Sequence, residues 1–361
     1  MFCHGELASR KPAPRYLTSF YLLISIGGAW GSIFVVLVAP NIFRFYFELP
    51  VGMLLCACLL LAVNFRKWWV TDVVCGALII RLLIISFVHM QFYSNPEGIR
   101  TLVRNFYGHQ RVIEYDVGSD NEHRALIHGT ITHGIQFMPP EKRSWPTAYF
   151  APHSGIGIAI AIAQLPVEPR RIGIVGLGAG TMAAYARQGD HYTDYEINPQ
   201  VEEIARNEFS FLSDSQGKVE IKIGDGRLLL EREKNHQFDL LAIDAFSGDS
   251  IPIHLLTLEA KNLYFSHLKP GGILAVHVPN LYLDLPQVLD KAGETLGKHT
   301  LVVLNHEDET KKIYQAEGVL MASNAAVFNT PEIKKAGTKV MSKPDIRLWT
   351  DDYSNLFRLF H

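Results

Sequence analysis

Long uncharged, apolar stretches fill much of the first hundred residues, and shorter apolar runs separated by polar turns fill the rest. Residues 17–40 carry no charge at all. Residues 47–65 hold one acid, Glu48, at the edge, and residues 70–92 hold Arg81 near the middle. About 20 apolar residues cross a bilayer as a helix, so the pattern predicts about three transmembrane helices. Arg81 would cost a few kcal/mol at mid-membrane, so it needs a partner, snorkelling or an interfacial position. Gly27 and Gly31 give the first segment a small-xxx-small pair, a spacing that lets another helix approach closely. That segment is too long for the apolar region of a signal peptide, and no cleavage-type sequence follows it.

Residues 106–137 change period. Short β-prone runs alternate with turn residues at 118–121, Gly129 and Gly134, which predicts a small antiparallel unit of three or four strands. "MPPEKRSWP" then reads as a linker and "SGIGIAIAIAQLP" as a buried helix. From Arg171 onward, candidate strands at 172–176, 192–196, 219–223, 238–244, 272–278, 300–304 and 318–322 alternate with helical stretches. This alternation predicts an α/β fold, a parallel-rich, doubly wound Rossmann-like sheet with helices on both faces and ligands at the carboxyl ends of the strands. The expected organisation is 1–95 transmembrane helices, 96–145 a small β-strand domain, and 146–361 a nucleoside-binding catalytic domain.

The stretch "IGIVGLGAGT" ends a strand in Gly176, Gly178 and Gly180 and leads into "TMAAYARQG", which reads as helix. A dinucleotide fingerprint, G-x-G-x-x-G, would need a glycine at 181, which is Thr181. Three acids follow three successive strands: Glu196, Asp225 in "IGDGR" and Asp244 in "LLAIDAFSGDS". Glu196 can accept both hydroxyls of a ribose, Asp225 can reach an adenine amino group, and Asp244 lies where the reactive end of the ligand would be. Each acid alone reads equally as a helix cap or turn residue. Together they describe a crevice for a cationic nucleoside such as an S-adenosyl sulfonium. The absence of a cation beside the glycines disfavours a phosphate-rich ligand.

Charge and cysteine usage narrow the classes. Only 19% of residues are charged and 48% are hydrophobic, which again points to an integral membrane protein. Residues 1–100 hold eight Lys/Arg against four Asp/Glu, so of the formal net charge of −2 the remainder of the chain carries −6. A mildly acidic part without a basic run is a poor nucleic-acid binder; it suits a cationic small substrate, although such a charge is ordinary for its length. Cys3, Cys56, Cys58 and Cys75 have neither disulfide nor zinc spacing and read as buried thiols in apolar helices. No metal-ligand cluster or G-x-S-x-G hydrolase motif is present. The basic residues flanking three spans favour an outward soluble part; an intracellular adenosyl ligand favours a cytoplasmic one at a bacterial-type inner membrane, and the second argument is the stronger.

In these residues the chain resembles the spermidine synthase (aminopropyltransferase) family, and within it the membrane-attached proteins in which such a domain is fused to transporter-like helices. The resemblance rests on "RALIHGTITHGIQF", "TAYFAPHSGIG", "IGIVGLGAGT", "YEINPQV", "GDGR", "FDLLAIDAFSGDSIPIHLLT", "LKPGGILAVHVPN" and "WTDDYSNL", spanning about residues 105–355, with "CHGELA" near the start. In that group further helices usually precede this point, so the chain reads as a short version or a fragment. The resemblance implies a methyltransferase-type sheet, pairing as homodimers, and an S-adenosylmethionine or decarboxylated S-adenosylmethionine donor without metal. It implies that Gln136 contacts the nucleoside, Glu196 the ribose, Asp225 with Gly226 the adenine, and that Asp244 is the catalytic acid that deprotonates the amine. Tyr149 matches a substrate-site tyrosine.

The departures bear on the substrate. The family's corner resembles GGGDGG, whose Asp helps bind the free amine of the decarboxylated donor; here that position is Ala179. The Asp-Pro after the catalytic acid becomes "FSGDSIP", which leaves Asp249 as a displaced second carboxylate, with His254 nearby. The expected chemistry is alkyl transfer from a sulfonium to a small amine, with Asp244 and Tyr149 catalytic and Asp249 and His254 lining the acceptor pocket. The alternatives are an S-adenosylmethionine-dependent methyltransferase and a non-catalytic polyamine- or nucleoside-binding module coupled to the membrane part. His128, His133 and His277 read as structural.

Overall fold

The fold is described from a computed structural model covering residues 2–43, 45–64, 69–94, 98–163, 169–246, 251–278, 283–340, 343 and 346–359. The chain divides into two compact units, Met1–Gln110 and Arg111–His361.

The first unit is helical before strand β1 (Ile99–Asn105). Among the described residues one helix, Pro14–Ile42, is long and apolar enough to cross a membrane, with a mean hydropathy of 2.2. Its large side chains are bare, Leu23 and Trp30 each at 68% exposure. Glu48–Val63 is a shorter apolar helix, and Trp69–Ser94 is helical throughout with Arg81 exposed. Arg104 of β1 ties this unit together. It makes a two-pronged pair with Glu48, at 3.1 and 2.5 Å, donates to the Phe45 carbonyl, and lies 4.3 Å over the Tyr46 ring. The cysteines correct the expectation of buried thiols: Cys75 is buried, whereas Cys56 and Cys58 are exposed. Apolar helices that face outward carry their thiols outward too.

Strand β2 (Gly108–Tyr115) crosses the boundary into the second unit, followed in order by β3 (His123–His128) and β4 (Ile131–Phe137). β3 and β4 pair antiparallel, His123 opposite Phe137, with a register shift at Leu126/Ile127.

The main sheet comprises β5 (Arg171–Val175), β6 (His191–Glu196), β7 (Lys218–Ile223), β8 (Phe238–Ile243), β9 (Leu268–His277), β10 (His299–Asn305), β11 (Ala316–Ala322) and β12 (Gly337–Thr338). Their order is β12-β10-β11-β9-β8-β5-β6-β7. β7, β6, β5, β8 and β9 run parallel. β11 is reversed between β9 and β10, so the sheet is mixed. All seven expected strands form within a few residues of the expected positions.

The central strands are apolar on both faces because both faces are covered. Leu241 and Ile243 join Val175, Leu274 and Val276 on one side. Leu240 and Ala242 join Ile172, Ile174 and Ala275 on the other, with the buried helix Gly155–Ala163. The chain departs from β5 toward β6 and β7 on one side, and later passes through β8 and β9 on the other. That reversal opens a crevice at the strands' carboxyl ends.

The stretch after the glycine corner forms only a short 3-10 turn, Thr181–Tyr185, not the expected helix. Asp190 is the cause: its buried carboxylate accepts the Arg187 N–H at 2.8 Å and the Arg170 N–H at 3.0 Å. It also pairs with the buried Arg170 guanidinium. Removing one partner strands the other's charge in the core, which costs about 3–5 kcal/mol. Asp190→Ala is therefore expected to lower unfolding stability by about that amount in denaturant titrations, and a paired Arg170→Met/Asp190→Leu change to recover most of it.

Candidate active site

The glycine corner is built by close backbone approach. Gly176 has φ +106°, and a Cβ there would lie 2.3 Å from the Asp244 carbonyl oxygen. Gly178 has φ +54°, and its Cβ would lie 2.7 Å from the His133 carbonyl oxygen. Neither position admits a side chain. Gly180, also left-handed, precedes the 3-10 turn. Ala179 is buried and faces Gly134 so closely that a Cβ added to Gly134 would lie 2.5 Å from the Ala179 Cβ. The corner is thus clamped between the end of β8 and strand β4.

The three acids sit in different company. Glu196 is buried, and its carboxylate accepts the Leu177 N–H of the corner at 3.0 Å and the Asn198 N–H at 2.8 Å. Burial raises its carboxyl despite those bonds. Asp225 caps the helix Gly226–Arg232 through the Leu228 N–H at 2.9 Å, and its other oxygen lies 3.1 Å from His254 Nε2. Gly226 is a packing glycine: a Cβ there would meet the Val175 side chain at 2.6 Å. Asp244 is 8% exposed, and among the described residues its buried Oδ1 has no hydrogen-bond partner. Burial pushes its carboxyl well above the usual range, and the Glu196 charge adds to this.

Around Asp244 stand groups that the strand ends deliver. Tyr149 follows Ala148, which is held by hydrogen bonds to the Lys312 carbonyl and from the Tyr314 N–H. The Tyr149 ring stacks on His277 with centroids 4.3 Å apart, and Phe246 meets His277 edge-on at 5.4 Å. Burial, then the Asp244 charge, holds the Tyr149 hydroxyl well above its ordinary value. His277 and His133 are held down, to about 3 and about 4, first by burial and then by a neighbouring histidine. Both imidazoles are therefore neutral at physiological pH. Among the described residues their buried Nε2 atoms, and the Thr181 hydroxyl just after Gly180, have no hydrogen-bond partners. Buried polar atoms are nearly always paired. Four orphans gathered at the glycine corner and its flanking strand ends fit a ligand with donor groups, and the lone carboxyl fits a cation.

Other expected site residues have different surroundings. Gln136 is fully buried, and its amide is engaged at both ends: Oε1 accepts the Ser210 N–H, and Nε2 donates to the Arg143 carbonyl and Ser210 Oγ. His254 is half-exposed and faces Asp225. Asp249 lies outside the described residues. Sequence reasoning read His277 as structural and did not weigh Asp194. His277 ends β9 just as Asp244 follows β8, so the rule that selected Asp244 would have found it. Asp194 lies on the same face of β6 as Glu196, at 4% exposure.

No family model matches the chain. The chain is 35% identical to a polyamine aminopropyltransferase of Vibrio vulnificus over 30% of its own length and 38% of the relative's. It is 24% identical to a probable polyamine aminopropyl transferase of Bifidobacterium longum over 43% of its length and 33% of the relative's. The chain thus spans little more than a third of these curated relatives. A probable spermidine synthase structure from Corynebacterium glutamicum matches with a TM-score of 0.52 and 17% identity, over 67% of this chain and 85% of that one. The chain is similar to these polyamine aminopropyltransferases in sequence and to the spermidine synthase in fold. The structural match carries the fold, an α/β unit with a mixed sheet, and the sequence matches carry the family resemblance.

In the second unit the carboxyl of Asp194 is raised to about 8 by burial and then by Glu196. The unfolded chain loses that proton near pH 4 and the folded chain near pH 8. Stability is therefore greatest below pH 4 as far as this group goes, and falls by up to about 1.4 kcal/mol per pH unit until pH 8. Asp194→Asn is expected to flatten the alkaline fall of the melting temperature measured between pH 5 and 8.

Proposed function

We propose that the chain is a membrane-attached transferase that moves an aminopropyl or related alkyl group from an S-adenosyl sulfonium to a small amine. The observation that carries this reading is the buried, unpartnered carboxyl of Asp244 beside the glycine corner. The polyamine aminopropyltransferase names of the matched relatives support the group transferred. The bare, apolar helix Pro14–Ile42 supports attachment to a membrane.

The donor's sulfonium supplies an activated leaving group. The chain's own residues supply position, charge and dryness. Glycines at 176 and 178 let a nucleoside lie against the backbone. Glu196, fixed by two N–H groups, presents its remaining lone pairs to the ribose hydroxyls. Burial favours the protonated form of Asp244, and a neighbouring cation favours its carboxylate. The carboxylate then accepts the proton that the attacking amine loses. Tyr149, Phe246 and His277 wall this point off from water. Ala179 puts no second acid at the corner, so a donor that keeps its own carboxylate is tolerated there.

The test is product analysis on the purified full chain, supplied with S-adenosylmethionine or its decarboxylated form and a diaminoalkane. Methylthioadenosine signals aminopropyl transfer and S-adenosylhomocysteine signals methyl transfer; binding without either product assigns a non-catalytic module. Asp244→Asn is expected to lower turnover at least ~100-fold. Because Asp244 must lose a proton to meet the cation, donor affinity is expected to strengthen as pH rises toward its raised pKa. Unchanged turnover in Asp244→Asn would remove the base from this mechanism.

A further inference from the structure

Register makes Asp244 and His277 neighbours. Ile243 of β8 pairs in parallel with Val276 of β9, so the next residues along, Asp244 and His277, end adjacent strands side by side. Paired strands lie about 4.8 Å apart, and paired side chains rise on the same face. Both groups are buried, His277 at 2% exposure, and each has an atom without a hydrogen-bond partner: Asp244 Oδ1 and His277 Nε2. The imidazole cannot swing freely, because Tyr149 stacks on its face and Phe246 closes on it edge-on. A neutral ring held this way keeps its unpartnered nitrogen in one direction, and with the ring proton on Nδ1 that nitrogen is a hydrogen-bond acceptor.

We infer that His277 is a second contact for the attacking nitrogen: with Asp244 it forms a pair of hydrogen-bond acceptors that selects a primary amine. The inference rests on the transferase reading above and deepens it. A neutral primary amine has two N–H bonds and one lone pair. With one N–H given to Asp244 and the other to His277 Nε2, the lone pair is left pointing away from both, toward the donor carbon. As the N–C bond forms and the C–S bond breaks, the nitrogen becomes cationic, the sulfur leaves as a neutral thioether, and one proton passes to the Asp244 carboxylate. His277 takes no proton and serves in orientation and selection. An alcohol or thiol brings one donor hydrogen and leaves one buried acceptor unmet, which is how sites reject near-isosteres. A tertiary amine is rejected on the same ground.

The test uses the full chain with methylthioadenosine bound, titrated by calorimetry with 1,4-diaminobutane and with its N,N,N′,N′-tetramethyl form, alongside turnover of wild type and two variants. The wild type is expected to bind the primary amine at least about tenfold more tightly than the tetramethyl form, the factor that one lost hydrogen bond to a charged group implies. His277→Phe keeps the stacked ring and deletes the nitrogen; it is expected to raise KM for the amine at least about tenfold. Donor affinity is expected to stay within twofold of wild type, and the midpoint of the pH–rate profile to stay in place, since His277 does not titrate in that range. His277→Gln, which keeps an acceptor oxygen, is expected to recover part of the loss. The inference is overturned if the tetramethyl form binds as tightly as the primary amine, or if His277→Phe keeps the wild-type amine KM. The comparison of the two amines needs no variant, so a misfolded His277→Phe leaves it decisive. Should the wild type bind no S-adenosyl compound at all, the transferase reading itself fails, which is a separate outcome.

Discussion

One backbone contact organises the second unit: the main chain at Gly176 lies against the carbonyl of Asp244. Any Cβ at 176 would occupy the place of that oxygen. The contact brings the end of β5 onto the end of β8, and hydrogen bonds from Gly176 to Tyr195 and from Asp244 to Val175 continue it into the sheet. The two residues after Leu177 repeat the device on the other side. Gly178 admits the carbonyl of His133, and Ala179 packs on Gly134, so strand β4 closes on the same corner. Segments far apart in the chain converge because the residues at their meeting points are glycine or alanine.

The convergence leaves polar groups in a poor environment. Asp244, His133, His277 and Thr181 all have buried atoms with no partner, and each such group costs roughly 1–3 kcal/mol. The cost is sustained by a sheet whose central strands are buried on both faces. It also explains the charge state. A carboxyl that no cation faces keeps its proton, and an imidazole that no water reaches gives its proton up. Burial thus disfavours negative charge on Asp244, and a positive partner favours it. A single lone carboxyl responds in this way where a fully paired one, such as Asp190, cannot.

The sheet was legible because parallel strands covered on both faces leave unbroken apolar runs, and each of the seven fell within a few residues of the position its run indicates. The direction of β11 was not read, although a signal existed. Only residues 306–315 join β10 to β11, fewer than a parallel crossover needs. The missing helix after the corner had no local signal, since "TMAAYARQG" has helical composition throughout. What unwinds it is Asp190, whose carboxylate captures the Arg187 N–H through a tertiary pairing with Arg170. The strand-end place of His277 was readable, but composition says nothing about which ring is stacked, buried and, among the described residues, left without a partner.

The three acids pose this limit most sharply. Glu196, Asp225 and Asp244 look equivalent in the sequence, each at or just past the end of a strand. Their partners separate them. Glu196 is held by two backbone N–H groups, Leu177 of the corner and Asn198 just past its own strand, so it is rigid and keeps lone pairs for a hydroxyl. Asp225 divides its oxygens between a helix cap and His254. The His254 carbonyl in turn accepts from Arg227, which a two-pronged pair binds to Asp351 of "WTDDYSNL". That end of the crevice is a closed network, made stiff by its own pairings. Asp244 has no such partner. A carboxylate already satisfied can orient a ligand but has little reason to exchange a proton with it. One left unsatisfied, dry and raised in pKa is suited to proton transfer, and in this crevice Asp244 is the acid in that position.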